Sequence, residues 1–154
     1  MPDPPEGIFI GRKMNQTGLK KRTVVTAFLS HGGRVLLVRR SDRVGSYRGR
    51  WSAISGYLEE PTPLQQAWRE IREETGLETG VRLISSAPPL EVTDTDLGVC
   101  WVVHPFLFAI DDPQQIRLDW ENIELVWASP EQLTEYETVP ALADALAMVW
   151  NARP

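Results

Sequence analysis

Arg69-Glu70-Ile71-Arg72-Glu73-Glu74-Thr75-Gly76-Leu77 puts three carboxylates, Glu70, Glu73 and Glu74, at spacings of three and four. On a helix those spacings share one face, where like charges repel. The interleaved cations are arginines, Arg69 and Arg72, rather than the lysines of ordinary i,i+4 pairing. Such a face of hard oxygen donors is either a solvated, Glu-rich helix end or a cluster completed by a divalent cation such as Mg²⁺ or Mn²⁺.

The flanks of the stretch define the helix. Thr62 reads as the N-cap, Pro63 as the first helical residue, and Gln65, three beyond Thr62, completes a capping box. Leu64, Ala67, Trp68, Ile71 and Thr75 recur at helical period as an inward stripe, and Gly76 suits a left-handed C-cap. The pattern predicts a helix over 63–75 with its acidic face opposite its apolar one. Upstream, Trp51-Ser52-Ala53-Ile54-Ser55-Gly56-Tyr57 reads as a strand entering a glycine-containing loop. The unit is strand, short loop, acidic helix.

That unit resembles the signature box of the Nudix hydrolases: Gly, five residues, Glu, seven residues, Arg-Glu, an aliphatic, any residue, Glu-Glu, any residue, Gly, an aliphatic. The second half matches in full at Arg69, Glu70, Ile71, Glu73, Glu74, Gly76 and Leu77. At residue frequencies near ~6%, a seven-position match arises by chance on the order of once per hundred thousand chains. The first half departs: the family's loop Glu falls on Pro61 and its Gly on Ser55, with Gly56, Glu59 and Glu60 close by. A loop one residue shorter, with Glu59 or Glu60 replacing the missing carboxylate, accounts for the departure. Pro61 favours an extended Glu60, so Glu59 and Glu60 are expected on opposite sides, with Glu60 the first choice to face the helix.

The resemblance implies an α/β fold, the Nudix α/β/α sandwich with a mixed β-sheet between helices. It also implies metal-dependent hydrolysis of a nucleoside diphosphate linked to another moiety, by in-line attack of water on the diphosphate bond. Glu70, Glu73 and Glu74 are the implied metal ligands. Glu121, six residues before Trp127, is the further outside ligand, with a polar turn as its other reading. The backbone carbonyls near Ser55 and Gly56 are an added oxygen source. Arg69 would hold a box carboxylate in place, and Glu70 is the first choice of general base, with Glu60 or Glu59 the alternative. A second reading is a nucleotide-binding sensor or regulatory domain without hydrolase activity. No downstream motif for a particular substrate is found.

Composition sets the outer bounds. A chain of 154 residues with 42% apolar and 24% charged residues is one ordinary globular domain. A net charge of −5 argues against general nucleic-acid binding, although a metal can still mediate capture of an anionic substrate. The lone Cys100 cannot form an internal disulfide and reads as a buried small hydrophobe. No apolar run is long enough to span a membrane and the first residues do not form a secretory signal, so a cytoplasmic protein is expected.

Residues 1–21 read as a loose arm, in which Ile8-Phe9-Ile10 could add an edge strand or a homodimer contact, and residues 22–154 as the domain. Thr23–Leu29 and Arg34–Val38 around Gly32-Gly33 predict a hairpin. Residues 39–50 carry Arg39, Arg40, Arg43, Arg48 and Arg50 among Gly45, Ser46, Tyr47 and Gly49, and read as a loop. It is either a solvated basic surface or a clamp. In the second case Arg39, Arg48 and Arg50 grip phosphate oxygens and Tyr47 stacks on a base. Further strands are expected at 81–84, 90–92, 99–110 and 125–127, with Pro105 marking an edge or bulge in the long one. A helical turn at 129–133 and a closing helix over 140–150 complete the pattern, and His104 reads as a core or cleft histidine.

Overall fold

The computed structural model describes residues 18–154. The proposed strand and dimer contact at residues 8–10 lie outside them. Strands β1 (Lys20–His31) and β2 (Arg34–Arg40) form the expected hairpin. Its two-residue turn holds Gly32 and Gly33 at φ of 59° and 77°, the primed-turn geometry that only glycine adopts without strain. β1 begins at Lys20, two residues before the domain boundary read from sequence.

The hairpin stays paired only at Ser30–Val35 and His31–Arg34, and then its strands part. β2 continues against β3 (Trp51–Ser52) and β8 (Asn122–Ala128), while β1 takes β4 (Ile54–Tyr57) on the same side. The chain from 51 to 57 therefore lies in the fork between them. On its other edge β1 runs parallel to β7 (Val99–Ile110), which carries β5 (Val81–Ser86) and β6 (Leu90–Asp94) antiparallel on its far side. The sheet is mixed, as expected.

Helices cover both faces. Val25, Ala27, Leu29 and Ile54 pack against Ala67 and Ile71 of α1 (Pro63–Thr75). Phe28, Val35, Leu37 and Ala53 pack against Leu142, Leu146 and Val149 of α2 (Leu142–Asn151). Alternate residues of β1 and β2 thus enter opposite cores, which is why both strands read as continuous apolar runs. This is the α/β/α sandwich. No helix among the described residues is long and apolar enough to cross a membrane.

Three local expectations need correction. Arg39 and Arg40 end β2 rather than lying in a loop, because their backbone pairs with Glu124 and Asn122 of β8. Pro105 is in a central strand, not at an edge: β7 pairs with β6 up to Val103 and with β5 from Phe106, so the missing N–H falls in the gap between partners. The closing helix starts at Leu142, after Ala141 turns left-handed at φ 62°.

Candidate active site

Helix α1 has the bounds the caps specify. The Thr62 hydroxyl accepts from the Gln65 N–H at 3.2 Å, Pro63 opens the helix, and Gly76 at φ 74° closes it with its N–H on the Arg72 carbonyl at 2.9 Å. The reciprocal half of the capping box is replaced: the Gln65 side-chain oxygen takes the Thr62 hydroxyl proton at 3.0 Å.

The three carboxylates do not share one exposed face. Glu70 and Glu74 are buried, at 3% and 1% exposure, whereas Glu73 points outward. Positions 66, 70 and 74 form a stripe that drifts only roughly 40° per step of four, while Glu73 lies about 100° from Glu74. Glu73 accepts from Arg69 Nε at 2.9 Å, and the other end of the same guanidinium reaches Glu60 Oε1 at 3.4 Å. Arg69 therefore organises the outer carboxylates, Glu73 and Glu60, and among the described residues no cationic side chain is hydrogen-bonded to the buried pair.

Each buried carboxyl is held by neutral donors. Glu74 accepts from the Ser55 backbone N–H at 3.2 Å and from Asn122 Nδ2 at 3.0 Å. Glu70 accepts from Gln66 Nε2 at 2.8 Å, and its other oxygen, Oε2, is buried with no hydrogen-bond partner. Gly56 permits this: a Cβ there would stand 2.7 Å from Glu70 Cγ and nearer still to its carboxyl atoms. Burial raises the pKa of Glu70, Glu74 and Glu121, Glu74 well above its ordinary value, and the Glu121 and Glu70 charges push Glu74 further. Glu121 itself is 5% exposed, and its N–H is held by Asp119 at 3.0 Å.

The loop before the helix differs from the extended form expected at Glu59 and Glu60. Both backbone N–H groups converge on Gln66 Oε1, each at 2.8 Å. Successive amides in an extended chain point opposite ways, so the chain bends here. Glu60 is half-buried on Arg69 and Glu59 is exposed.

The arginines of 39–50 are tied down individually. Arg39 pairs with Glu124 at 2.8 Å and with the Gly49 carbonyl at 3.1 Å, and Arg48 holds the Val44 carbonyl at 2.7 Å. The buried Arg40 binds the Ser46 carbonyl with two nitrogens, at 2.9 and 2.7 Å. Arg50 reaches the Thr138 carbonyl at 3.4 Å and lies 5.8 Å above the Tyr47 ring. Tyr47, at φ 50°, donates its hydroxyl proton to Asp94 at 2.6 Å and accepts from Trp101 Nε1 at 3.0 Å.

Tyr47 and Trp101 line an apolar cleft of about 50 Å³ on the α2 side of the sheet, together with Val24, Thr26 and Ser55. Ser55 joins the two regions, since it lines the cleft while its N–H holds Glu74. Sequence reasoning missed Gln66 and Asn122. The signal for Gln66 was its place one turn before Glu70; Asn122 had none beyond adjacency to Glu121.

No three His, Cys, Asp or Glu side chains among the described residues stand together as a ready-made cation site. The residues nevertheless fit a hard divalent ion. Glu70 and Glu74 are buried acids with an orphaned oxygen and, among the described residues, neutral donors, and Glu73 and Glu121 lie within their electrostatic reach.

The NUDIX domain model matches residues 19–148. A CTP pyrophosphohydrolase of Escherichia coli K12 is 29% identical over 140 residues, covering 88% of this chain and 98% of that protein. The nucleoside triphosphatase NudI of Escherichia coli is 23% identical over 130 residues, covering 77% and 89%. The crystal structure of a MutT protein from Methanosarcina mazei superposes with a TM-score of 0.68 at 24% identity, covering 82% of this chain and 91% of that one. The family match spans the sheet, α1, most of α2 and the whole acidic site, and on that ground the chain belongs to the Nudix family.

Proposed function

We propose that this protein hydrolyses the diphosphate bond of a nucleoside diphosphate linked to another group, with a divalent cation held by Glu70, Glu73, Glu74 and Glu121. The observation that carries the reading is the buried Glu70–Glu74 pair, with an orphaned oxygen and, among the described residues, no cationic side chain bonded to it. Carboxylates buried without a compensating charge are costly, and a structural pair would be expected to keep an Arg or Lys as partner. Here Arg69 is bonded to Glu73 and Glu60 instead.

A bound Mg²⁺ or Mn²⁺ would supply charge neutralisation at the diphosphate and a more acidic water. The chain's own residues do the rest. Glu70 Oε2, free of hydrogen bonds and raised in pKa by burial, accepts the proton of the attacking water. Glu73, now bonded to Arg69, would complete the ligand set, and Arg69 would then keep its contact with Glu60. A backbone carbonyl at Ser55 or Gly56 would add a further oxygen donor. The nucleoside occupies the apolar cleft, with Tyr47 as one wall, and Ser55 sets its distance from the acid pair. Arg39, Arg48 and Arg50 border the loop side, where a substrate phosphate would compete with their present carbonyl partners.

Two relatives named for CTP and nucleoside triphosphate cleavage support trying triphosphates first, since a triphosphate is a nucleoside diphosphate linked to phosphate. The test is a panel of nucleoside triphosphates and nucleoside diphosphate conjugates with Mg²⁺, assayed for nucleoside monophosphate and pyrophosphate in H₂¹⁸O. Metal-dependent release with one labelled oxygen is expected. Tight nucleotide binding without turnover across the panel would instead assign a binding or regulatory domain.

A further inference from the structure

The position of the family's loop carboxylate is taken by Pro61 in this chain. Gln66 occupies the space between the altered loop and the acid pair. It is fully buried, at 0% exposure. One end of its amide accepts the N–H groups of Glu59 and Glu60, both at 2.8 Å. The other end donates to Glu70 Oε1 at 2.8 Å. Its backbone N–H is bonded to the Thr62 carbonyl at 3.1 Å, so the side chain is anchored where loop becomes helix.

We propose that Gln66 is a positioning residue that locks the 58–61 loop to the Glu70 carboxyl, so that loop and carboxyl are set as one unit. The argument is one of hydrogen-bond capacity and charge. A glutamine oxygen has two lone pairs, and both loop amides use them. Its NH₂ donates to Glu70 Oε1 and orients that oxygen, while Oε2 accepts no hydrogen bond from the described residues. Because the amide is neutral, it fixes the carboxylate without cancelling the charge that a divalent cation needs. A lysine in its place would neutralise Glu70, and an apolar residue would leave two loop amides and one carboxyl oxygen unsatisfied.

This inference rests on the proposed hydrolase reading for its kinetic arm alone. The test compares the wild type with Gln66→Met, which keeps length and loses both functions, and Gln66→Glu, which keeps the acceptor for the loop amides and loses the neutral donor. Three quantities are measured: amide hydrogen exchange of the metal-free protein, Mn²⁺ affinity by electron paramagnetic resonance without nucleotide, and kcat and KM on the best substrate of the panel.

In Gln66→Met, faster exchange at Glu59 and Glu60 is expected, with β1 and β7 unchanged, Mn²⁺ binding weakened about tenfold, and kcat lowered about 10–100-fold with little change in KM. In Gln66→Glu the loop amides stay protected while Mn²⁺ affinity and kcat still change. Unaltered loop exchange together with wild-type Mn²⁺ affinity in Gln66→Met overturns the proposal. If Gln66→Met does not fold, Gln66→Glu decides: deprotected loop amides, or wild-type Mn²⁺ affinity and kcat, overturn it. A wild type that turns over no nucleotide refutes the hydrolase reading, while exchange and Mn²⁺ binding still test Gln66.

Discussion

Gly56→Ala tests the close approach on which the acid pair depends. The new methyl would lie 2.7 Å from Glu70 Cγ and closer to the carboxyl carbon and Oε1, nearer than real Cβ contacts occur. Backbone relief is limited, because Gly56 is paired with Val25 of β1 in the interior of the sheet. Glu70 must therefore swing away from Gln66 Nε2. The displaced hydrogen bond to a charged acceptor is worth about 1.5–3 kcal/mol, and overpacking costs about 1–3 kcal/mol. For a chain of this size each kcal/mol lowers Tm by roughly 2–4 °C. A misplaced proton acceptor removes a contribution of about 10²–10⁴-fold, so kcat/KM should fall about 100-fold or more. The assay pairs calorimetry with kinetics in a cycle of Gly56→Ala, Glu70→Ala and the double variant. Because Glu70→Ala removes the atoms the methyl strikes, the double variant should be no less stable than Gly56→Ala and no less active than Glu70→Ala. Coupling of about 1–3 kcal/mol is expected. Additive losses, or a Gly56→Ala enzyme within about threefold of wild-type kcat/KM, would refute the contact as the reason for glycine.

Glu73→Gln should keep the fold, since the exposed i,i+4 pair with Arg69 is worth only about 0.3–0.5 kcal/mol, yet lose most activity and Mn²⁺ affinity; calorimetry and turnover check both, and near-wild-type turnover removes Glu73 from the ligand set. Tyr47→Phe deletes the hydroxyl that bridges Asp94 and Trp101, so KM for nucleotide should rise several-fold with kcat less affected, and an unchanged KM would detach Tyr47 from substrate binding. Burial raises the pKa of Glu70, Glu74 and Glu121, so each binds its proton more tightly folded than unfolded. Their contribution is full below the ordinary carboxylate range and is lost as pH rises through the folded pKa. Metal-free protein should therefore melt higher near about pH 5 than near about pH 8, with Mg²⁺ recovering the loss at the higher pH; a melting temperature that climbs with pH after chelation contradicts the assignment.

The helix was legible because its signals are local. Thr62, Pro63 and Gly76 act within one turn of the termini they specify, and the apolar period placed Ala67, Ile71 and Thr75 inward. The hairpin was legible for the same reason, through Gly32-Gly33. What was not legible depends on partners distant in sequence. Pro105 sits centrally because β5 and β6 divide β7 between them, a fact set by the 87–89 interruption and not by residues 99–110. Arg39 and Arg40 extend β2 because β8, more than 80 residues later, pairs with them.

The site shows the same division at finer scale. Spacing identified Glu70, Glu73 and Glu74, but helical period cannot say which side of a charged stripe meets the sheet. The structure resolves it through Gly56, whose missing side chain admits Glu70, and through Ser55, whose N–H meets Glu74. In a fully extended chain neighbouring residues face opposite ways, so Ser55 and Gly56 divide their tasks: Gly56 faces α1 and Ser55 lines the cleft. Shifting the strand by one residue would place a side chain against Glu70 and separate the acid pair from the cleft. The offset of the glycine from the family spacing is therefore matched by an offset in the loop, and Gln66 closes the difference by reaching back to Glu59 and Glu60. A box that departs in its first half can keep the second half in place only if something spans the changed loop, and the buried amide of Gln66 does so without adding charge to the site.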